Sequence, residues 1–136
     1  MILQFVERKD ILLFCCDSDG HKKVPGANNH YFVMISDNTY NKKSTSLSAV
    51  PLTSPKPENS FFVQNWGIQL SKDDFEGTDF LAGSYIQCDR PCRVKTDDAT
   101  KSDRGGIGRV SRLNDKAYRK TIEKITTFMM PGIQFK

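Results

Sequence analysis

Short apolar runs separated by polar, turn-forming segments dominate this sequence, and they limit what the chain can fold into. The strand-like runs cover residues 10–17, 30–37, 47–54, 60–65, 66–71, 80–88 and 107–113. Runs of this length that are bounded by Gly, Pro, Asn, Asp and Ser are typical of β-strands. Many short strands in a chain of 136 residues predict a mainly β fold. Pro51 inside the third run favours an edge strand or a strand end there.

One helix is predicted near the end of the chain, over residues 114–130. Asn114 is a favourable N-cap, and Asp115 complements the positive end of the helix. Apolar residues recur at helical spacing and form one stripe: Tyr118, Ile122, Ile125 and Met129. Together with the strands, this predicts a single domain over residues 1–136, a small β-barrel capped by a C-terminal helix.

The hydropathy pattern favours a cytoplasmic protein. The longest apolar run, residues 11–16, is much shorter than the ~20 residues that a membrane-spanning helix needs. Residues 1–10 lack the basic start, long apolar centre and small-residue cleavage site of a secretion signal. We therefore expect no association with a membrane.

Positive charge is concentrated in the last third of the chain. The net charge is only +4, but residues 90–124 contain eleven Lys and Arg against five Asp and Glu. Such a basic segment suits a polyanion such as nucleic acid, or an acidic protein partner. A solvated surface of mixed charge is the alternative that charge alone leaves open.

The four cysteines favour neither a metal site nor a disulfide framework. Only Cys88 and Cys92 have a spacing that zinc sites use. The adjacent Cys15 and Cys16 would point to opposite faces of a strand, so one ion would not easily bind both. In a reducing compartment these side chains act as small apolar groups. We expect neither a metal nor a cofactor.

Candidate chemical groups stand where the predicted strands end. They are His21, His30, Thr53, Ser54 and Asp89, with Arg90 and Arg93 close to the last of these. Ends of neighbouring strands converge in a barrel, so these groups can share one face. Cleaving RNA without a metal needs a base for the ribose 2′-hydroxyl, an acid for the leaving oxygen, and donors for the phosphate. The chain contains residues of each type.

The order of these pieces resembles the MazF/PemK (Kid-type) toxins of bacterial toxin–antitoxin modules. Four stretches carry the resemblance in register: "ERKDILLFCCDSDGHK" (7–22), "HYFVMISDNTYN" (30–41), "AVPLTS" (49–54) and "YIQCDRP" (85–91). "RGGIGRVSRL" and the closing helix follow in place, so the resemblance covers roughly residues 7–130.

The resemblance implies an SH3-like β-barrel that forms a homodimer. It also implies metal-independent cleavage of single-stranded mRNA at short sequences through a 2′,3′-cyclic phosphate, and neutralisation by an acidic antitoxin. Residue by residue, it implies that Asp89 is the base, that His21 contacts RNA, and that Thr53 and Ser54 hold the phosphate or assist catalysis.

This chain departs from the family pattern at cationic positions. The arginine two residues before the aspartate is Gln87, and the arginine that opens the second strand is His30. Lys22 stands where the family has a glutamate after the loop histidine. His30 is a candidate substitute acid, since histidine exchanges protons near neutral pH. Arg90 or Arg93 is the alternative cation.

Two functions remain open from the sequence. The first is an endoribonuclease with Asp89, His30, Thr53 and Ser54 as catalytic residues. Its RNA-binding residues would be His21, Lys22, Gln87, Arg90 and Arg93. The second is a non-catalytic member of the same fold that binds RNA or a protein such as DNA gyrase.

Exposed aromatic residues could stack RNA bases, although core packing is the simpler expectation for most of them. Those considered are Phe61, Phe62 and Trp66.

Overall fold

A computed structural model describes residues 6–15, 29–44, 46–54, 56–57, 60–95 and 109–130 of the chain. Its strands are β1 (Asp10–Cys15), β2 (Asn29–Met34), β3 (Ser46–Thr53), β4 (Gly67–Gln69), β5 (Tyr85–Gln87), β6 (Cys92–Lys95) and β7 (Arg109–Arg112). Its α-helices are α1 (Asn38–Lys43), α2 (Ser60–Trp66) and α3 (Asp115–Met129). The mainly β architecture with a closing C-terminal helix is confirmed.

The strands form one antiparallel sheet in the order β4-β5-β3-β2-β1-β7, and β6 also pairs with β3. The long strand β3 is therefore central. One of its edges pairs with β2, and the other pairs first with β6 and then with β5. This arrangement brings the start of β2, the end of β3 and the start of β5 together.

Pro51 lies inside this central strand, so the expectation of an edge strand or strand end was wrong. Its position explains why the sheet accepts it. Along one edge of β3, pairing with β6 stops at Ala49 and pairing with β5 begins at Leu52. Proline has no backbone N–H to donate, and here it sits where the partner strand changes.

Both faces of the central strands are buried. Phe32 and Met34 of β2 pack into one apolar cluster with Leu12 and Leu47, whereas Val33 joins a second cluster on the other face. This second cluster includes residues of α3. Burying one such side chain contributes about 1.5–3 kcal/mol. A sheet with apolar groups on both faces has to curl around one cluster while the helix covers the other.

Helix α3 begins as predicted but buries a different stripe. The Asn114 side chain accepts a hydrogen bond from the Ala117 N–H at 2.8 Å, so the predicted N-cap is confirmed. The buried residues are Ala117, Thr121 and Ile125. Of the predicted stripe only Ile125 is buried, and Met129 is 61% exposed. The small side chains of Ala117 and Thr121 allow the helix to lie close to the sheet.

Residues 60–65 were predicted as a strand, and this was wrong because they belong to α2. Only Val63 of this seven-residue helix is buried, whereas a half-buried strand would have needed every second side chain to be buried. The next residue is Gly67, where a Cβ would lie 2.5 Å from the Val63 carbonyl oxygen. Glycine therefore allows the chain to turn directly from α2 into β4.

Two other elements differ from the sequence expectation. The run 80–88 is only partly a strand, since β5 covers Tyr85–Gln87 and a turn precedes it. Gly83 in that turn has φ +95°, a conformation that favours glycine. Helix α1 lies in the stretch expected to be a polar connection. The Asp37 carboxylate caps it by accepting from the Thr39 N–H at 2.9 Å.

A buried carboxylate ties β1 to β7. The Asp10 side chain is 2% exposed, and its Oδ1 accepts a hydrogen bond from Arg112 Nη1 at 2.6 Å. Its Oδ2 accepts from the Glu7 N–H at 2.9 Å. Arg112 also contacts Glu76 at 3.1 Å, so one guanidinium joins three segments of the chain.

In the described part of the chain, no helix is long and apolar enough to cross a membrane.

Candidate active site

Three of the predicted catalytic residues line one cleft, which we call the β2–β3 cleft. It has a volume of about 320 Å³ and lies where β2 begins and β3 ends. The described residues that line it are His30, Tyr31, Leu52, Thr53, Ser54, Lys56, Leu81 and Ser84. Of the groups expected to share one face, His30, Thr53 and Ser54 lie together here, whereas Asp89, Arg90 and Arg93 are not in this lining.

The register of the sheet explains why these groups meet. Phe32 of β2 pairs with Pro51 of β3, and continuing this antiparallel register by two residues sets His30 opposite Thr53. On the other side of β3, Thr53 pairs with Tyr85 of β5. Side chains alternate along a strand, so His30 and Phe32 share a face, and their ring centroids lie 6.5 Å apart.

The cleft has a polar rim and an apolar floor. Leu52 and Leu81 are almost fully buried, whereas Ser54 and Lys56 are exposed. Of the described residues that line the cleft, none is acidic. One lysine, one histidine and four hydroxyl groups in this lining favour an anionic group such as a phosphate.

Tyr31, one of the lining residues, packs against a second aromatic ring. The rings of Tyr31 and Phe80 meet edge to face with centroids 5.8 Å apart. Phe80 is 56% exposed, and Tyr31 is half-buried against the core cluster beneath it. Packing holds the Tyr31 ring on its inner side, while its other side contributes to the cleft.

The predicted base and its neighbouring residues lie elsewhere on the sheet. Asp89 and Arg90 follow β5 in a turn, where the Arg90 N–H donates to the Gln87 carbonyl oxygen at 3.1 Å. Gln87 is buried and pairs with Gly67, and the exposed Arg93 pairs with Ser48 through β6. None of these four is among the lining residues of the β2–β3 cleft. The roles predicted for them stay predictions.

Cys88, which precedes Asp89, is a core residue with an unreactive thiol. Burial raises the pKa of its thiol to about 12, and Asp89 adds to the increase while Lys124 of α3 opposes it. The thiol is therefore protonated at neutral pH and is a poor nucleophile or metal ligand. Cys92 is half-buried at the start of β6. Among the described residues, no three His, Cys, Asp or Glu side chains are grouped as a metal site would require.

His21 and Lys22 lie outside the described residues, so their predicted contacts with RNA stay predictions. Conversely, Lys56 and Tyr31 line the cleft although sequence reasoning assigned them no role. Both signals were present in the chain. Tyr31 follows His30 directly, and Lys56 comes two residues after Ser54 in the same loop.

The aromatic residues of α2 are not core residues, contrary to the simpler expectation. Phe61 is 61% exposed and packs edge to face on Trp66 at 5.8 Å. Trp66 also meets Phe128 of α3 at 5.7 Å, so this patch joins the two helices. These rings do not line the β2–β3 cleft.

A curled antiparallel sheet with a covering C-terminal helix and polar groups at its strand ends defines a class of small β-barrel proteins. Within this class, the fold is that of MazF. MazF from Deinococcus radiodurans aligns over 91% of this chain and 96% of its own, with TM-score 0.61 and 9% identity. A MazE–MazF complex from the same organism aligns with TM-score 0.62 and 12% identity, over 91% of this chain and 95% of its own.

An endoribonuclease from a mycobacterial species, solved with its cognate antitoxin, is also similar. It gives TM-score 0.64 and 14% identity, covering 96% of this chain and 99% of its own. No protein-family model matches the sequence, and no curated protein matches it either. Likeness at such low identity shows a shared fold, and the function has to be argued from the site.

Proposed function

We propose that this protein is the toxin of a type II toxin–antitoxin module, an endoribonuclease that cleaves single-stranded mRNA at short sequences without a metal ion. The observation that carries this proposal is the β2–β3 cleft, where His30, Thr53 and Ser54 converge. The shared fold with solved endoribonucleases supports it. The basic last third of the chain suits a polyanionic substrate in the cytoplasm.

The reaction proposed is an internal transesterification. The ribose 2′-oxygen forms a bond to phosphorus while the bond from phosphorus to the 5′-oxygen breaks. A base takes the proton of the 2′-hydroxyl, and an acid returns a proton to the leaving 5′-oxygen. The products are a 2′,3′-cyclic phosphate and a free 5′-hydroxyl, so no water, oxidant or other co-reactant is consumed.

Within the cleft, His30 is the group best suited to move a proton near neutral pH. Thr53 and Ser54 offer hydroxyl donors to the phosphate oxygens, on which negative charge builds in the transition state. Asp89 is the second proton-transferring group that we propose, and Arg90 and Arg93 would bind the strand beyond the cleft. Both proton transfers occur at one phosphodiester, so this role requires Asp89 and His30 to come within hydrogen-bond reach of the same phosphate when RNA is bound.

One observation favours a non-catalytic function instead. Gln87 is neutral, buried and paired into the sheet where the resemblance places an arginine. An amide donates a hydrogen bond but not a proton, so the site lacks a cation there. A member of this fold without activity would bind RNA, or a protein such as gyrase, and would not cleave it.

The deciding experiment incubates the purified chain with mixed-sequence single-stranded RNA in the presence of EDTA. We expect discrete fragments that end in 2′,3′-cyclic phosphates, identified by mass spectrometry. The same sequence made as 2′-deoxy DNA is the matched control and should stay intact, since it has no attacking hydroxyl. Intact RNA under all buffers, with RNA or gyrase bound, would establish the binding function.

We also propose two protein partners, an acidic antitoxin and a second copy of this chain. In the solved complexes with a similar fold, MazF is bound to MazE and a mycobacterial endoribonuclease to its antitoxin. We expect sedimentation equilibrium to give twice the mass of one chain, independent of salt. A monomer at all micromolar concentrations would contradict the dimer and leave the cleavage assay unaffected.

A further inference from the structure

The β2–β3 cleft contains groups that the proposed reaction does not use. Lys56 lines it together with Ser54, and Tyr31, another lining residue, packs edge to face on Phe80. The cleft volume of about 320 Å³ is at the lower end of the range of small-molecule sites, about 300–1,000 Å³. A space of that size suits one nucleotide and not a longer segment.

We infer that Lys56, Tyr31 and Phe80 form a single-nucleotide subsite, in which the base lies on the Tyr31 ring and the adjoining phosphate lies against Lys56. This inference rests on RNA being the ligand of the cleft, as proposed above, but it does not require cleavage. It assigns the binding of one nucleotide of the RNA to residues that the sequence analysis did not single out.

The charge distribution supports the phosphate end of this subsite. Lys56 is the one lysine or arginine among the described lining residues, and Thr53, Ser54 and Ser84 add hydroxyl donors beside it. With Gln87 neutral and Arg90 in a different turn, Lys56 is the cation placed to bind the phosphate next to His30. Lysine binds phosphate as a mobile point charge, so arginine geometry is not needed.

The burial pattern supports the base end. Tyr31 is anchored in the core cluster and braced by Phe80, so its ring is already ordered before RNA arrives. Leu52 and Leu81 extend the apolar floor next to it. Stacking on an aromatic ring contributes about 1–3 kcal/mol per base, which corresponds to about 5- to 150-fold in affinity.

The test measures binding of a short 2′-O-methyl RNA of mixed sequence, which cannot be cleaved. We expect Tyr31→Leu and Phe80→Ala to weaken binding about 5- to 150-fold, with Tyr31→Phe close to the unaltered protein. Phe61→Ala is the matched control for Phe80→Ala, because Phe61 is similarly exposed but packs on Trp66, whereas Phe80 packs on Tyr31. Circular dichroism checks that each variant is folded.

Salt dependence separates the two ends of the subsite. Lys56→Ala should reduce the slope of log affinity against log salt by about 0.7, the value for one contact with a single strand. Lys42→Ala, an exposed lysine of α1, should leave the slope unchanged, and so should Tyr31→Leu. An unchanged slope in Lys56→Ala would refute the phosphate contact.

The subsite and the nuclease can fail separately. If the protein cleaves RNA but Tyr31→Leu and Phe80→Ala bind as the unaltered protein does, the subsite is wrong and the nuclease stands. If the protein binds with the expected pattern and never cleaves, the subsite stands without the nuclease. No binding of the 2′-O-methyl RNA by the unaltered protein would overturn the subsite.

Discussion

Replacing His30 with alanine is expected to lower kcat/KM for RNA cleavage by about 10²–10⁴-fold, the usual contribution of a positioned acid or base. We propose His30 as the proton-transferring side chain because it lines the β2–β3 cleft. Its ring packs edge to face on Phe32 while the residue itself is half-buried, so the fold should tolerate the change. Cleavage of a fluorogenic RNA gives kcat/KM, and thermal unfolding confirms the fold.

A second variant separates proton transfer from simple contact. His30→Gln keeps a hydrogen-bond donor but cannot exchange a proton, so it should be nearly as inactive as His30→Ala. Both variants should also lose one limb of the pH–rate profile. If His30→Gln retains most of the activity and Asp89→Asn abolishes it, then Asp89 transfers the proton and His30 only contacts the substrate.

Replacing Asp10 with alanine is expected to lower the free energy of unfolding by about 3–5 kcal/mol, because it leaves a cation without its buried partner. The Asp10 side chain is 2% exposed and accepts from Arg112 Nη1 at 2.6 Å. It also accepts from the Glu7 N–H, so alanine removes the ion pair and a backbone contact together. Urea unfolding followed by circular dichroism measures the loss.

Two further variants isolate the cause. Asp10→Asn keeps the size of the side chain but removes its charge, so we expect a smaller loss of about 1.5–3 kcal/mol. Glu76→Gln alters a carboxylate on the same Arg112, but its side chain is 48% exposed. That change should lower the free energy of unfolding by at most about 1 kcal/mol. If Glu76→Gln and Asp10→Ala lower the free energy of unfolding equally, burial does not explain the contribution of the Asp10–Arg112 pair.

Local sequence signals predicted the elements whose stability is local. The N-cap at Asn114 could be read directly because an Asn side chain bonds to an N–H three residues later, whatever the rest of the chain does. The runs that became β1, β2 and β3 also needed no tertiary information, since their apolar content is strongly strand-like. The strand predicted for residues 60–65 was wrong because a short apolar run fits either a short helix or a buried strand.

The residues of the candidate site could be predicted from the sequence, but their grouping in one cavity could not. The resemblance singled out Thr53, Ser54 and Asp89 by their positions in motifs, and the sequence alone could not say which of these share a cavity. That depends on the register between β2 and β3 and on where β3 changes partner from β6 to β5. The structure places Thr53 and Ser54 in the β2–β3 cleft and Asp89 beyond its lining.

The sequence by itself therefore determined the mainly β class, the closing helix and the set of chemical groups available at strand ends. The tertiary structure decided which of those groups meet, that Lys56 and Tyr31 join them, and that Ala117 and Thr121 are buried beside Ile125 on α3. The physical reason is the range of the interactions. Capping and strand preference act within a few residues, whereas strand register and helix docking are fixed by packing between distant parts of the chain.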